Sequence, residues 1–221
     1  PETMRNAAKM DAKIRVKGGA NLQAAAETFG AKRYITQSSG FWYAHGTGLA
    51  DETTPLTSDA TPGINSSTHI IETIEQRVLE SSNIEGVALR FGFFYGPGTW
   101  YHPAGNMAEQ INKNEFPFIG QGEGVWNFVH IEDAAMAVAS AIYSTPGIYN
   151  IVNDCPTPMW EWLPAFARYL NAPKPLRISE EEGQKEKGPE AVYYATKLRG
   201  ASNAKARQSF NFQPRTFEWL L

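Results

Sequence analysis

The sequence predicts an α/β protein: a parallel sheet covered on both faces, followed by a smaller, mostly helical lobe. Three observations carry this. Helical and β-rich segments alternate through the first two thirds of the chain. The β-rich runs at 33–37 (RYITQ), 86–91 (GVALRF) and 148–152 (IYNIV) do not alternate apolar with polar, as strands with one wet face do. After Asp154 the texture shifts to a Trp-rich amphipathic helix and an acidic–basic run, which divides the chain into 1–154 for the sheet and 155–221 for the lobe. At 221 residues such a chain buries roughly 70% of its unfolded surface, enough for one well-formed core.

Each element has its own signal. Residues 4–29 are rich in helix formers, with Ala12, Val16, Ala20 and Ala24 on one face. Gly18 and Gly19 interrupt them, as a kink or as a close approach to a neighbour, and Gly30 closes the helix. The run at 33–37 reads as a buried strand ending in Ser38, Ser39 and Gly40. A loop rich in Asp, Thr and Pro fills 50–63, and a helix is expected over 66–81 with Ile70, Ile74 and Val78 as its apolar stripe. The strand at 86–91 runs into the turn cluster Tyr95-Gly96-Pro97-Gly98. A short helix at 106–112 and two short strands, 116–119 and 125–130, precede an Ala-rich helix at 131–143, whose first turn carries Glu132 and Asp133 where the helix dipole favours negative charge. The strand at 148–152 completes the sheet. Beyond it lie an amphipathic helix at 159–170, a charged run at 179–188 read as a solvated loop or lid edge, and a last helix at 202–210.

Composition narrows the function. A net charge of −3 with no basic run argues against nucleic acid, because phosphate binding needs clustered Lys and Arg. No apolar run approaches the ~20 residues of a membrane span, so no membrane partner is expected. The single cysteine, Cys155, excludes an internal disulfide framework and a cysteine zinc site, no metal site is expected, and a reducing, cytoplasmic setting fits. Cys155 is expected to be inert.

The ordered set GANLQAAAETFGAKRYITQSSGFWYAHG, ETIEQRVLE, GVALRFGFFYGPG, GQGEGVWNFVHIEDAAMAVASAI and YNIVNDCPTPMWEWLPAFARYLNAP resembles the extended short-chain dehydrogenases/reductases, the nucleotide-sugar-epimerase-like group, over nearly the whole chain. The resemblance implies a Rossmann-like doubly wound sheet, a small-molecule substrate, NAD or NADP as cofactor, and, weakly, a homodimer. That family opens with a strand, a glycine-rich turn and a helix that hold the pyrophosphate. No such motif stands in this sequence, which is therefore expected to correspond to the family's later part and to bind the cofactor weakly on its own.

The resemblance also assigns roles. Ser39 matches the serine that hydrogen-bonds the substrate oxygen, four residues before Tyr43, although a turn serine would read the same. The tyrosine and lysine that move the proton do not match: counting back from Glu75-Gln76 places Ser67 and Ile71 there. His69 is a candidate substitute acid, and Tyr95 a candidate proton donor. Ser38, Phe91, Gly92 and Phe93 are expected at the cofactor, and Tyr43, Trp126 and His130 at the substrate, with a role for His130 at the strand-to-helix junction equally open. In nucleotide-sugar enzymes an arginine and an asparagine grip the diphosphate; the matching places hold Trp126 and Phe93, so a small uncharged or aromatic ligand is expected. Two alternatives to an atypical NAD(P)-dependent oxidoreductase or epimerase-like enzyme stay open: a cofactor-binding sensor or partner-binding module without turnover, and an inactive fragment.

Overall fold

A computed structural model describes residues 2–220. The first helix, α1 (Glu2–Lys13), passes through a π-helical turn (Ile14–Gly18) into α2 (Gly19–Thr28) without breaking. The paired glycines mark a close approach. A Cβ on Gly19 would lie 2.9 Å from the Arg77 guanidinium, which reaches past it to the Val16 carbonyl at 3.0 Å. Gly30, with φ +73°, ends the helix as expected.

The central sheet has three parallel strands in the order β1 (Arg33–Ser39), β2 (Glu85–Phe91), β7 (Gly147–Ile151). Among the described residues only β2 has neighbours on both sides within this sheet, and it is buried from Gly86 to Phe91. Here the sequence-based expectation needs correcting. The run at 33–37 is not a buried strand but a half-buried one, because among the described residues β1 pairs on one side only. Helix α3 (Pro62–Leu79) packs against β1 and β2. It starts earlier than its apolar stripe indicates: Thr61 caps it, accepting from the Ile64 amide at 3.3 Å, and Pro62 occupies the first turn, where its missing N–H costs nothing. Helix α5 (Ile131–Ala141) packs on β2 and α9 (Ala204–Phe210) on β7.

Between these lies the remainder: β3 (Phe93–Tyr95), α4 (Asn106–Asn112), β4 (Phe118–Ile119), β5 (Val125–Trp126), β6 (Phe128–His130), β8 (Thr157–Pro158), α6 (Met159–Tyr169), β9 (Arg177–Ile178), α7 (Glu180–Glu186) and α8 (Pro189–Thr196). Strand β3 pairs with β6, β4 with β9, and β5 with β8. The lobe therefore recruits chain from both sides of Asp154. The charged run at 179–188 is mostly helix: Ser179 and Glu182 form a reciprocal capping box, enough to start a helix on a solvated face. The lobe's core is aromatic. Trp162, Phe166, Phe128 and Phe217 are wholly or almost wholly buried, whereas Trp160 on the same helix is 53% exposed.

Candidate active site

The carboxyl ends of β1 and β2 open into two adjoining cavities, where parallel α/β sheets place their ligands. The smaller, about 160 Å³, is lined by Ser38, Ser39, Ser67, Ile71 and Phe91 among others. The larger, about 790 Å³, lies under the lobe. Phe41, Gly92 and Phe94 border both. Gly92 is obligatory at this junction, because a Cβ there would sit 2.4 Å from the Asn127 carbonyl oxygen.

A buried polar chain supports the smaller cavity. Arg90 and Glu75 form a two-pronged ion pair, with Nε and Nη2 each 2.7 Å from a carboxylate oxygen and both side chains almost fully enclosed. The Ser38 hydroxyl donates to the same carboxylate. On the far side Arg90 lies 3.4 Å from the Tyr43 hydroxyl, which donates to Asn150 Oδ1. An arginine inside an apolar strand needs a partner, since an unpaired buried charge is prohibitive. That requirement was the sequence signal for the Glu75–Arg90 pair, and it was missed. Ser39 has no such tie. Its hydroxyl oxygen is buried at the cavity wall with no hydrogen-bond partner among the described residues. The two positions that would carry the proton-moving pair hold a hydroxyl committed to the Gly63 carbonyl (Ser67, 2.9 Å) and a buried hydrocarbon (Ile71).

The larger cavity is walled by rings: eight of its lining residues are aromatic, which makes stacking rather than ion pairing its main resource. Phe93 is sandwiched between Phe41 (centroids 4.1 Å apart, 10° between planes) and Trp126 (4.3 Å, 27°). Trp126 also donates from Nε1 to the Tyr194 carbonyl at 2.9 Å, tying the wall to α8. Burial holds the phenols of Tyr101 and Tyr194 far above their ordinary range, so both rings are neutral.

The structure locates the other candidates named from the sequence. Tyr95 does not face either cavity: it is buried among His130, Phe217 and Trp219, and burial first, then Asp133, raises its pKa. Tyr43 is likewise enclosed, its pKa pushed up to about 12 chiefly by burial, and its hydroxyl donates to Asn150. His69 lies on the exposed side of α3, away from both cavities. His130 caps α5, its Nδ1 accepting from the Glu132 amide at 3.2 Å, and so serves the strand-to-helix junction. Asp133 accepts from the Arg215 amide and guanidinium at 2.9 and 3.1 Å. Phe93, expected at the cofactor alongside Ser38 and Phe91, lines the larger cavity and not the smaller one that those two line. Ser38, Ser39, Phe91 and Gly92 do converge on the smaller cavity, and Trp126 on the larger. Phe41, Phe116, Met159 and Tyr194 were not anticipated at the latter; Phe41 directly follows the serine loop, but nothing local marks the others.

The architecture has many solved counterparts. A dTDP-glucose 4,6-dehydratase from Streptomyces venezuelae, solved with NAD, matches with a TM-score of 0.73 at 15% identity, over 98% of this chain and 66% of that one. A human epimerase family protein solved with NADPH matches with a TM-score of 0.71 at 18% identity, over 93% and 69%. These likenesses establish the Rossmann-like fold. A curated protein from Streptomyces sp, 3-diazoavenalumate denitrifying reductase, is 35% identical over 211 residues, covering 94% of this chain and 69% of that protein. The NAD dependent epimerase/dehydratase family model matches residues 2–152. With that match and that relative, the chain belongs to the NAD-dependent epimerase/dehydratase family.

Proposed function

We propose that this protein is an NAD(P)H-dependent reductase of a small aromatic substrate, and not a nucleotide-sugar enzyme. One observation carries the reading: a serine-lined pocket with an unpaired buried hydroxyl opens, across Gly92, into a cavity walled by aromatic rings. The smaller pocket fits the nicotinamide end of the cofactor. At about 160 Å³ it has room for one small ring, and Ser38, Ser39, Phe91 and Gly92 would surround it. Bound there, the reduced cofactor would supply a proton and two electrons together as hydride. The chain's own residues orient the reactants and keep out water. Ser39 donates a hydrogen bond to the substrate's polar atom, and the ring wall holds the substrate flat.

What the residues do not do is equally informative. With Ser67 and Ile71 in place of the proton-moving pair, the site suits a substrate whose reduction needs no acid or base from the protein. An aryl diazo group is such a substrate: its C–N bond gives way to C–H, dinitrogen leaves, and no oxyanion forms. The relative named as a diazo-compound reductase supports this chemistry. The replaced pair equally favours a second reading, a cofactor-binding module without turnover. Incubation with millimolar NADH or NADPH and an arenediazonium salt, against enzyme-free controls, separates the two. The expected result is enzyme-dependent dinitrogen and arene in equal amounts, one per cofactor oxidised. Turnover of a UDP- or dTDP-sugar alone overturns the proposal, and cofactor binding with no turnover of any aromatic substrate favours the module.

A further inference from the structure

The smaller cavity has a wall that the proposed function leaves unused. Besides the serines and Phe91, it is lined by Asp11 of α1 and Arg15 of the π-helical turn that follows, and these are the charged residues of its described lining. A π turn holds one residue more than an α turn, which swings side chains round the axis by about 100° relative to an unbroken α-helix. This turn is tied to α3, because Arg77 donates to the Val16 carbonyl at 3.0 Å. Arg15 thus shares one cavity wall with Ser67 and Ile71, the two α3 residues that stand in place of the proton-moving pair.

The Arg15 guanidinium is only half engaged. Its Nε donates to Asp11 Oδ2 at 2.8 Å, one helical turn back, and neither terminal nitrogen has a hydrogen-bond partner among the described residues. Anchored at Nε, the planar group keeps a pair of donors at fixed spacing. Such a fork suits two acceptor oxygens side by side. The vicinal hydroxyls of a ribose are such a pair. Arg90, the cation behind the same cavity, is spent on Glu75, and Ile71 offers hydrocarbon.

We infer that Arg15 is a cofactor-binding residue: its free guanidinium nitrogens donate to the ribose hydroxyls next to the nicotinamide, and the π turn thereby supplies the cation that Ile71 does not. The inference rests on the reading of the smaller cavity as the nicotinamide site.

Ligand-observed NMR on this chain tests it, with three probes carried into the millimolar range. N-methyl-dihydronicotinamide has the ring alone, reduced nicotinamide riboside adds the ribose, and reduced nicotinamide mononucleotide adds a phosphate. Arg15→Met should weaken riboside and mononucleotide alike by about tenfold and leave the ring-only probe unchanged. Arg15→Lys, which keeps the charge and loses the fork, should cost about threefold. The Tm should not move in either variant, since the pair with Asp11 is exposed. An equal loss for the ring-only probe overturns the inference and makes Arg15 a wall residue. A loss confined to the mononucleotide overturns it in favour of phosphate recognition. Undiminished binding of all three to Arg15→Met overturns it while the nicotinamide reading stands. If none of the three binds the parent chain saturably, both the inference and that reading fall.

Discussion

The two cavities share a border and use opposite physics. The smaller one is backed by a closed polar chain, Ser38–Glu75–Arg90–Tyr43–Asn150, in which a full ion pair sits inside the sheet layer. The larger one is walled mainly by hydrocarbon and π surface, with Glu115, Lys187 and Glu190 as the charged residues of its lining. The polar chain fixes geometry, because each member can be satisfied in only one arrangement. The ring wall fixes shape and leaves chemistry open. On the proposed function, precision near the reacting atoms and tolerance around the substrate would come from different residues, and substitutions can probe them separately.

The largest expected effect is on the polar side. Arg90→Met leaves the Glu75 carboxylate buried without its partner and should cost about 3–5 kcal/mol in urea unfolding. The double change Arg90→Met with Glu75→Leu should recover much of it. If the single variant unfolds at the same urea concentration as the parent, the pair contributes nothing and the contrast fails. Ser39→Ala should be next, and purely functional: a loss of roughly tenfold to a thousandfold in kcat/KM, about 1.4–4 kcal/mol, with Tm unchanged. Unaltered kinetics would return Ser39 to a turn role. On the aromatic side, Phe93→Ala removes a ring stacked on two neighbours, and the affinity for an aromatic ligand should fall by about tenfold, near the upper end of a ring–ring contribution of about 1.5 kcal/mol. Ligand affinity that survives this change would relocate the binding wall.

A smaller effect follows from pH. Burial raises the Tyr43 phenol to about 12, above its ordinary value. The folded state then holds its proton more tightly than the unfolded chain, so the contribution is complete below about pH 10 and is lost as pH rises toward 12. The slope of stability against pH across that window should flatten in Tyr43→Phe. The smallest effect is a silent one: His69→Gln should change neither turnover nor Tm, because the side chain faces solvent.

These contrasts also show what the sequence made legible. The apolar stripe of α3, the Ala-rich run of α5 and the unbroken apolar run of β2 announced those elements, because a helix buries one face and a central strand buries both. Thr61-Pro62 looked like loop because a capping threonine and a first-turn proline are also turn residues. Ser39, Phe91, Gly92 and Trp126 were locatable because strand ends and short-range spacing bring them to the cavities. Tyr95 was misjudged for a different reason: Phe217 and Trp219, more than a hundred residues later, cover it. Spacing tells which strand a residue ends, but not which distant segment folds over it. Helix α8 and its Tyr194 were invisible on the same grounds.

The bond from Trp126 to the Tyr194 carbonyl makes one side chain both wall and latch. A replacement that reshapes the wall without an equivalent donor also removes this tie to α8, leaving the Gly124 amide on the Ala195 carbonyl and the Thr61 hydroxyl on Glu190 to hold the helix. On the proposed function, a change of ligand wall at this position is therefore coupled to the footing of α8. Divergence through single steps at position 126 would pass through forms with a loosened α8, whereas steps at Phe41 or Phe94 meet no such toll. A lineage exploring new substrates from this scaffold should keep its indole and vary the rings around it.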